Sequence, residues 1–175
     1  MKYNLGIVMI QQKFATIILF AAVLSITSVS ILFNTAKAQE QTFYATLSGN
    51  DEVPASKSNS TGTAKFSVNE NSTKLSYWVN ITGIKKLNQV HINNGTAGQN
   101  GDVVVILSKG KSAKGDESPP QIGFAGNITK KDLQGPLKGK DISDLVKLLS
   151  EGSAYINTHT DKYPKGAIRG QISSG

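Results

Sequence analysis

The chain has 175 residues, no cysteine, and 19 lysines and arginines against 12 acids, for a formal charge of +7. The missing cysteine excludes disulfides and thiolate metal centres. A sole arginine, Arg169, excludes phosphate recognition by arginine forks as a general mode, and lysines scattered along the chain read as a solvated surface, so no nucleic-acid partner is expected.

The N-terminus reads as a leader. Lys2 and Lys13 precede a charge-free run from Phe14 to Phe33, and Ala36-x-Ala38 has the small-x-small form that a signal peptidase accepts. Cleavage after Ala38 is the expected outcome, giving a leader of residues 1–38 and a domain of residues 39–175. If retained, the run of about 20 apolar residues is long enough to anchor the chain in a bilayer. Either route puts the domain across a membrane, secreted or tethered to the outer face of the cytoplasmic membrane. Membrane contact is expected only through the N-terminal segment, and only if it is not cleaved. Loss of Lys2, Lys13 and Lys37 with the leader takes the charge from +7 to +4. A domain of this size can bury an adequate core without staples.

Beyond the leader, Phe43, Ala45 and Leu47 alternate with polar residues over 42–48, which is strand periodicity. A turn at 49–54 and a polar loop follow. Ala64, Phe66 and Val68 define a second strand, and Leu75, Tyr77, Val79 and Ile81 a third. One apolar and one polar face per strand suit an antiparallel sheet. A short strand at 89–93 leads into the turn-rich loop 94–101. The apolar run 102–107 is expected to be buried on both faces, and the Lys/Gly/Ser/Pro stretch 108–121 to be a loop. A strand at 122–128 follows.

Thr129 with Asp132 suggests one helical turn. Asp141 then starts the one substantial helix, with Ile142, Leu145, Val146, Leu148 and Leu149 at helical spacing and Gly152 as its stop. Two strands, 154–159 and 167–172, joined by the turn 161–166, close the chain. About eight short strands with regular turns predict an all-β Greek-key β-sandwich or partly closed barrel with one short inserted helix, behind an apolar leader helix.

The ordered pieces Phe43-x-Ala45-x-Leu47-Ser48-Gly49-x-x-Glu52-Val53-Pro54, Gly62-x-Ala64-x-Phe66, Leu75-x-Tyr77-x-Val79, His91-Ile92-Asn93, Gly95-x-Ala97-Gly98-x-Asn100-Gly101, Ala154-Tyr155-Ile156-Asn157-Thr158-His159-Thr160 and Pro164-x-Gly166-x-Ile168-Arg169-Gly170-Gln171 span nearly all of residues 43–172. Together they resemble the CHRD domain, the module named from its repeats in chordin and found alone in many microbial secreted proteins. The resemblance implies an immunoglobulin-like or superoxide-dismutase-like β-sandwich, export, and for most members no assigned biochemical role. In chordin-type proteins these domains belong to extracellular inhibitors of growth factors, a role that does not carry over to a stand-alone domain. This chain departs from the pattern at His91-Ile92-Asn93, where the family often has His-x-His, and at Pro54, where many members have two prolines.

Four groups of residues are candidates for function. His91-x-Asn93 and Asn157-x-His159 each put a histidine and an asparagine on one strand face. If their strands are neighbours, the four residues form one polar cluster, and two imidazoles can bind Cu²⁺ or Zn²⁺. The competing reading is a hydrogen-bonded cluster that fixes loop geometry. Glu52 and Arg169 are expected to form a bidentate structural ion pair, with anion binding by Arg169 as the alternative. Asn59, Asn71, Asn80, Asn94 and Asn127 head Asn-x-Ser/Thr sequons that could carry glycans in an exported protein. Trp78 lies opposite Tyr77 and Val79 on its strand, so it points either to water, where it could stack on a sugar or a protein, or under a loop or the helix.

No catalytic set is evident. Superoxide dismutase chemistry needs more histidines than the two present, and there is no Gly-x-Ser-x-Gly nucleophile elbow. The expected function is a non-enzymatic extracytoplasmic module with a binding or cell-surface structural role, no cofactor, and an extracellular protein or polysaccharide as partner. The alternatives are a Cu- or Zn-binding or redox-related protein using His91 and His159, and a glycan-binding module centred on Trp78.

Overall fold

Apolar residues at every second position fold as strands because a pleated backbone sends alternate side chains to opposite faces. A computed structural model describes residues 41–109 and 121–175. Its strands are β1 Thr42–Ser48, β2 Thr61–Val68, β3 Leu75–Thr82, β4 Leu87–Asn94, β5 Val103–Lys109, β6 Gln121–Ile128, β7 Ala154–Thr160, β8 Ile168–Gln171 and β9 Ser173–Ser174. One α-helix among the described residues, α1 Ile142–Ser150, lies between β6 and β7. The leader with its cleavage site, and residues 110–120 of the connection after β5, lie outside the described residues. No described helix is long and apolar enough to cross a membrane.

The strands form one antiparallel sheet in the order β5-β4-β7-β8-β1-β2-β3-β6, with β9 paired to β1. The chain returns β6 beside β3, β7 beside β4 and β8 beside β1, so the crossings are those of a Greek-key fold. The sheet is nearly closed, the barrel-like form of the expected architecture. Tyr77 on β3 helps to close it. Its hydroxyl donates to the Leu107 carbonyl on β5 at 2.9 Å. Its ring passes over β6 at Gly126, its register partner, where any Cβ would collide with the phenol.

The inner face supplies a single core. Phe43, Leu47, Phe66, Leu75, Val79, Ile81, Ile92 and Ile156 are fully buried in it. Each such side chain contributes about 1.5–3 kcal/mol relative to exposure. Helix α1 adds Ile142, Leu145 and Leu149. It starts where expected, with the Asp141 N–H donating to the Asp144 carboxylate at 3.0 Å, and it stops at Gly152, whose φ is +63°. The turn expected after Thr129 is a 3-10 turn over Lys130–Asp132. Strand β5 departs from expectation. Val104, Val105 and Leu107 are buried, but Val103 and Ile106 are only half-buried. The reason is position, since β5 ends the sheet, with β4 on one side and only the short Leu133–Gln134 segment bridging it on the other.

Candidate functional site

Strands β4, β7 and β8 are buried on both faces. Their inner residues, such as Val90, Ile92, Ile156 and Ile168, enter the core. Their outer residues form a polar layer whose rows follow from register. His91 pairs with Asn157, which pairs with Arg169, and Asn93 pairs with Tyr155, which pairs with Gln171. His159 lies opposite Gln89, one step along the same face from His91. The neighbouring strands that the His-x-Asn and Asn-x-His spacings required are therefore present. The two imidazole rings sit 4.9 Å apart, centre to centre, at 45° to each other.

Two loops cover this layer. The 94–101 loop is held by side chains beneath it. Arg169, 1% exposed, donates to the Thr96 and Gln99 carbonyls at 2.9 Å each and to Asn100 Oδ1 at 3.3 Å. Its guanidinium stacks 3.4 Å from the centre of the Tyr155 ring. Gln171 Nε2 donates to the Gly95 carbonyl at 3.0 Å, and Asn93 Nδ2 to the Gly101 carbonyl at 3.0 Å. Tyr155 accepts from the Gly101 N–H at 3.1 Å. Asn100 Nδ2 then donates to the Val53 carbonyl at 2.7 Å, tying this loop to the one that carries Glu52.

Glu52 is 6% exposed, and a Cβ at Gly166 would collide with its carboxylate. Asn157 Nδ2 lies 3.5 Å from its Oε2, while Oε1 has no protein partner. Burial pushes its pKa up to about 7, outweighing the opposing influence of the Arg169 charge. The expected bidentate Glu52–Arg169 pair is not formed. The ion pairs among the described residues are Lys130–Asp141 and Lys147–Glu151. Arg169 acts on Glu52 only through space, because its donors are directed to loop carbonyls. Anion binding by Arg169, the alternative, would have to compete with these loop contacts at a side chain that is 1% exposed.

His91 is 8% exposed, and neither ring nitrogen has a protein partner. Burial, and then the neighbouring His159, lower its pKa to about 4. His159 Nδ1 lies 3.1 Å from the Pro164 carbonyl, and its Nε2 is buried without a partner. Among the described residues no group of three or more His, Cys, Asp or Glu side chains gathers as a metal-ligand set. No carboxylate therefore completes a cage around the histidines among the described residues.

The outer face of β1, β2, β3 and β6 is different. Tyr44 and Trp78 are each 47% exposed, and a Cβ at Gly175 would collide with the Tyr44 ring. Register places Tyr44, Lys65, Trp78 and Ala125 in one row across four strands. On one side runs the row Thr46, Thr63, Asn80 and Gly123, and on the other Thr42, Ser67, Ser76 and Asn127. The small Ala125 leaves the indole uncovered. Of the expected solvent and loop positions for Trp78, solvent is the one observed. Tyr44, its companion in the row, was not singled out by sequence reasoning. Three lysines distant in sequence, Lys57, Lys85 and Lys162, also meet at an open cleft of about 330 Å³ with Asn59 and Tyr163. Asn59, Asn71 and Asn127 are exposed sequon asparagines, whereas Asn80 and Asn94 are half-buried.

Fold and layer together define an antiparallel, nearly closed β-module with one outer face packed under loops and another bare. The family model of the CHRD domain matches residues 43–172. The chain therefore belongs to the CHRD domain family. No curated protein and no solved structure matches it.

Proposed function

We propose that this CHRD domain acts outside the cytoplasm as a non-enzymatic binding module, and that the outer face of β1, β2, β3 and β6 takes a polysaccharide. The observation that carries the reading is the row of Tyr44, Lys65 and Trp78, flanked on both sides by hydroxyl and amide side chains. Two strand spacings separate the aromatic residues, about 10 Å, close to the repeat of a β-1,4-linked disaccharide. Aromatic faces pack against the C–H faces of pyranose rings, while Ser, Thr and Asn side chains suit sugar hydroxyls. No acidic residue stands in the three rows, so acidic and neutral glycans meet no repulsion. The leader of residues 1–38 supports the extracytoplasmic setting.

Trp78 is the only tryptophan, so intrinsic fluorescence reports on this face alone. Titration of the protein with a panel of neutral and acidic polysaccharides should give a saturable change with at least one of them. Trp78→Ala and Tyr44→Ala should each weaken retention of the protein on that polysaccharide. A flat titration throughout the panel, with no retention of the unaltered protein, would refute the reading.

A further inference from the structure

We propose that His91 and His159 together form a two-imidazole site for a borderline transition-metal ion, with Cu²⁺ preferred over Zn²⁺. The inference is independent of the polysaccharide-binding face. It begins with the tautomer of His159. The Pro164 carbonyl can only accept, so the 3.1 Å contact assigns the proton to Nδ1 and leaves a lone pair on Nε2. That is how metal-ligating histidines are commonly held, with the far nitrogen donating to a backbone carbonyl so that ring orientation and tautomer are set in advance.

The bare Nε2 is buried, and so are both nitrogens of His91; no protein group partners any of the three. Buried side-chain nitrogens normally have partners, and the lone pairs on His159 Nε2 and on one His91 nitrogen call for an electron-pair acceptor, while the other His91 nitrogen carries the ring proton. The ring spacing agrees with one shared ion. With nitrogens about 2.0 Å from a metal, two adjacent imidazole ligands place their ring centres about 4.5–5 Å apart. The observed separation is 4.9 Å.

The donor set selects the metal. It contains no thiolate, and no third His or carboxylate joins the pair among the described residues. Two neutral imidazoles with solvent completing the shell suit Cu²⁺ and Zn²⁺ and give no hold on Mg²⁺ or Ca²⁺. The general order of divalent affinities then places Cu²⁺ above Zn²⁺. Of the two rings, His159 is half-buried and His91 buried, so His159 is the more accessible ligand.

The chain has only two histidines, so any imidazole signal on bound copper must come from them. Pulsed electron paramagnetic resonance on the full chain with one equivalent of Cu²⁺ should show two imidazoles on one ion. His159→Ala should leave one imidazole coupling and weaken Cu²⁺ binding about tenfold or more, since loss of a ligand costs at least what loss of its outer partner does. Absent or single imidazole coupling in the unaltered protein would overturn the proposal, as would an unchanged affinity in His159→Ala. If His91→Ala fails to fold, the unaltered protein and His159→Ala still decide the matter. Buried water satisfying the three nitrogens instead would appear as Cu²⁺ held without imidazole coupling.

Discussion

Two outer faces of one sheet have taken opposite courses. On β4, β7 and β8 the outward residues are His91, Asn157, Arg169, Tyr155 and Gln171, and two loops lie over them. On β1, β2, β3 and β6 the outward residues are Tyr44, Lys65, Trp78 and their hydroxyl neighbours, and both aromatics stay 47% exposed. The polar face is the one removed from water. Its side chains are polar because they must satisfy the carbonyls of the 94–101 loop, which has little regular structure of its own. The open face keeps Trp78 and Tyr44 partly in solvent, with Tyr44 beside the Lys65 ammonium and Gly175. The difference separates residues that hold the domain together from residues available to a partner.

Stability and binding measurements should divide along this line. The largest effect is expected from Arg169→Ala, which removes three hydrogen bonds and a ring stack from a fully buried site. It should destabilise by about 3 kcal/mol or more, read by urea unfolding. A loss below about 0.5 kcal/mol would mean that the loop does not depend on it.

Glu52 comes next and carries a pH signature. Its folded pKa is raised from 4.5 to about 7, so the folded state keeps a proton that the unfolded chain releases between those values. Its contribution to stability is fully present below pH 4.5 and is lost as pH rises through 7. Glu52→Gln should therefore raise the melting temperature at pH 8 and leave it nearly unchanged at pH 4. His91, with its pKa lowered from 6.5 to about 4, works in the opposite sense. Both chains retain it, so the comparison between them isolates Glu52. A difference that is the same at both pH values would contradict the buried, proton-holding carboxyl.

Tyr77→Phe removes only the seam contact to the Leu107 carbonyl and should cost about 1 kcal/mol in the same unfolding assay. The smallest effect is expected at the bare face. Trp78→Ala and Tyr44→Ala should change stability by no more than about 0.5 kcal/mol while weakening polysaccharide retention. A large stability loss at either position would make that face structural and erase the contrast.

Much of the fold was legible because its strands carry the period they need. Phe43, Ala45 and Leu47, and Leu75, Val79 and Ile81, all point inward as alternation requires. The His91 and His159 cluster was legible for a related reason, since a spacing of two fixes a shared face and only the pairing of β4 with β7 had to be supplied. Arg169 was misread because its real partners are backbone carbonyls of Thr96 and Gln99. Every residue has a carbonyl, so sequence offers no sign of which ones will accept, whereas Glu52 advertises its charge. The row of Tyr44, Lys65 and Trp78 was invisible for want of register. Each residue looks like an isolated outward position until the β1–β2 and β2–β3 pairings align them. The lysines at the cleft, 57, 85 and 162, were hidden in the same way by their distance along the chain.

The most direct test of the division between faces is backbone hydrogen exchange of the protein with and without a retained polysaccharide. The account predicts added protection in peptides covering β1, β2, β3 and β6, with the 94–101 loop and β7 unchanged. Protection confined to the 94–101 loop, or to the segments around Arg169, would place the partner on the other face and contradict the account.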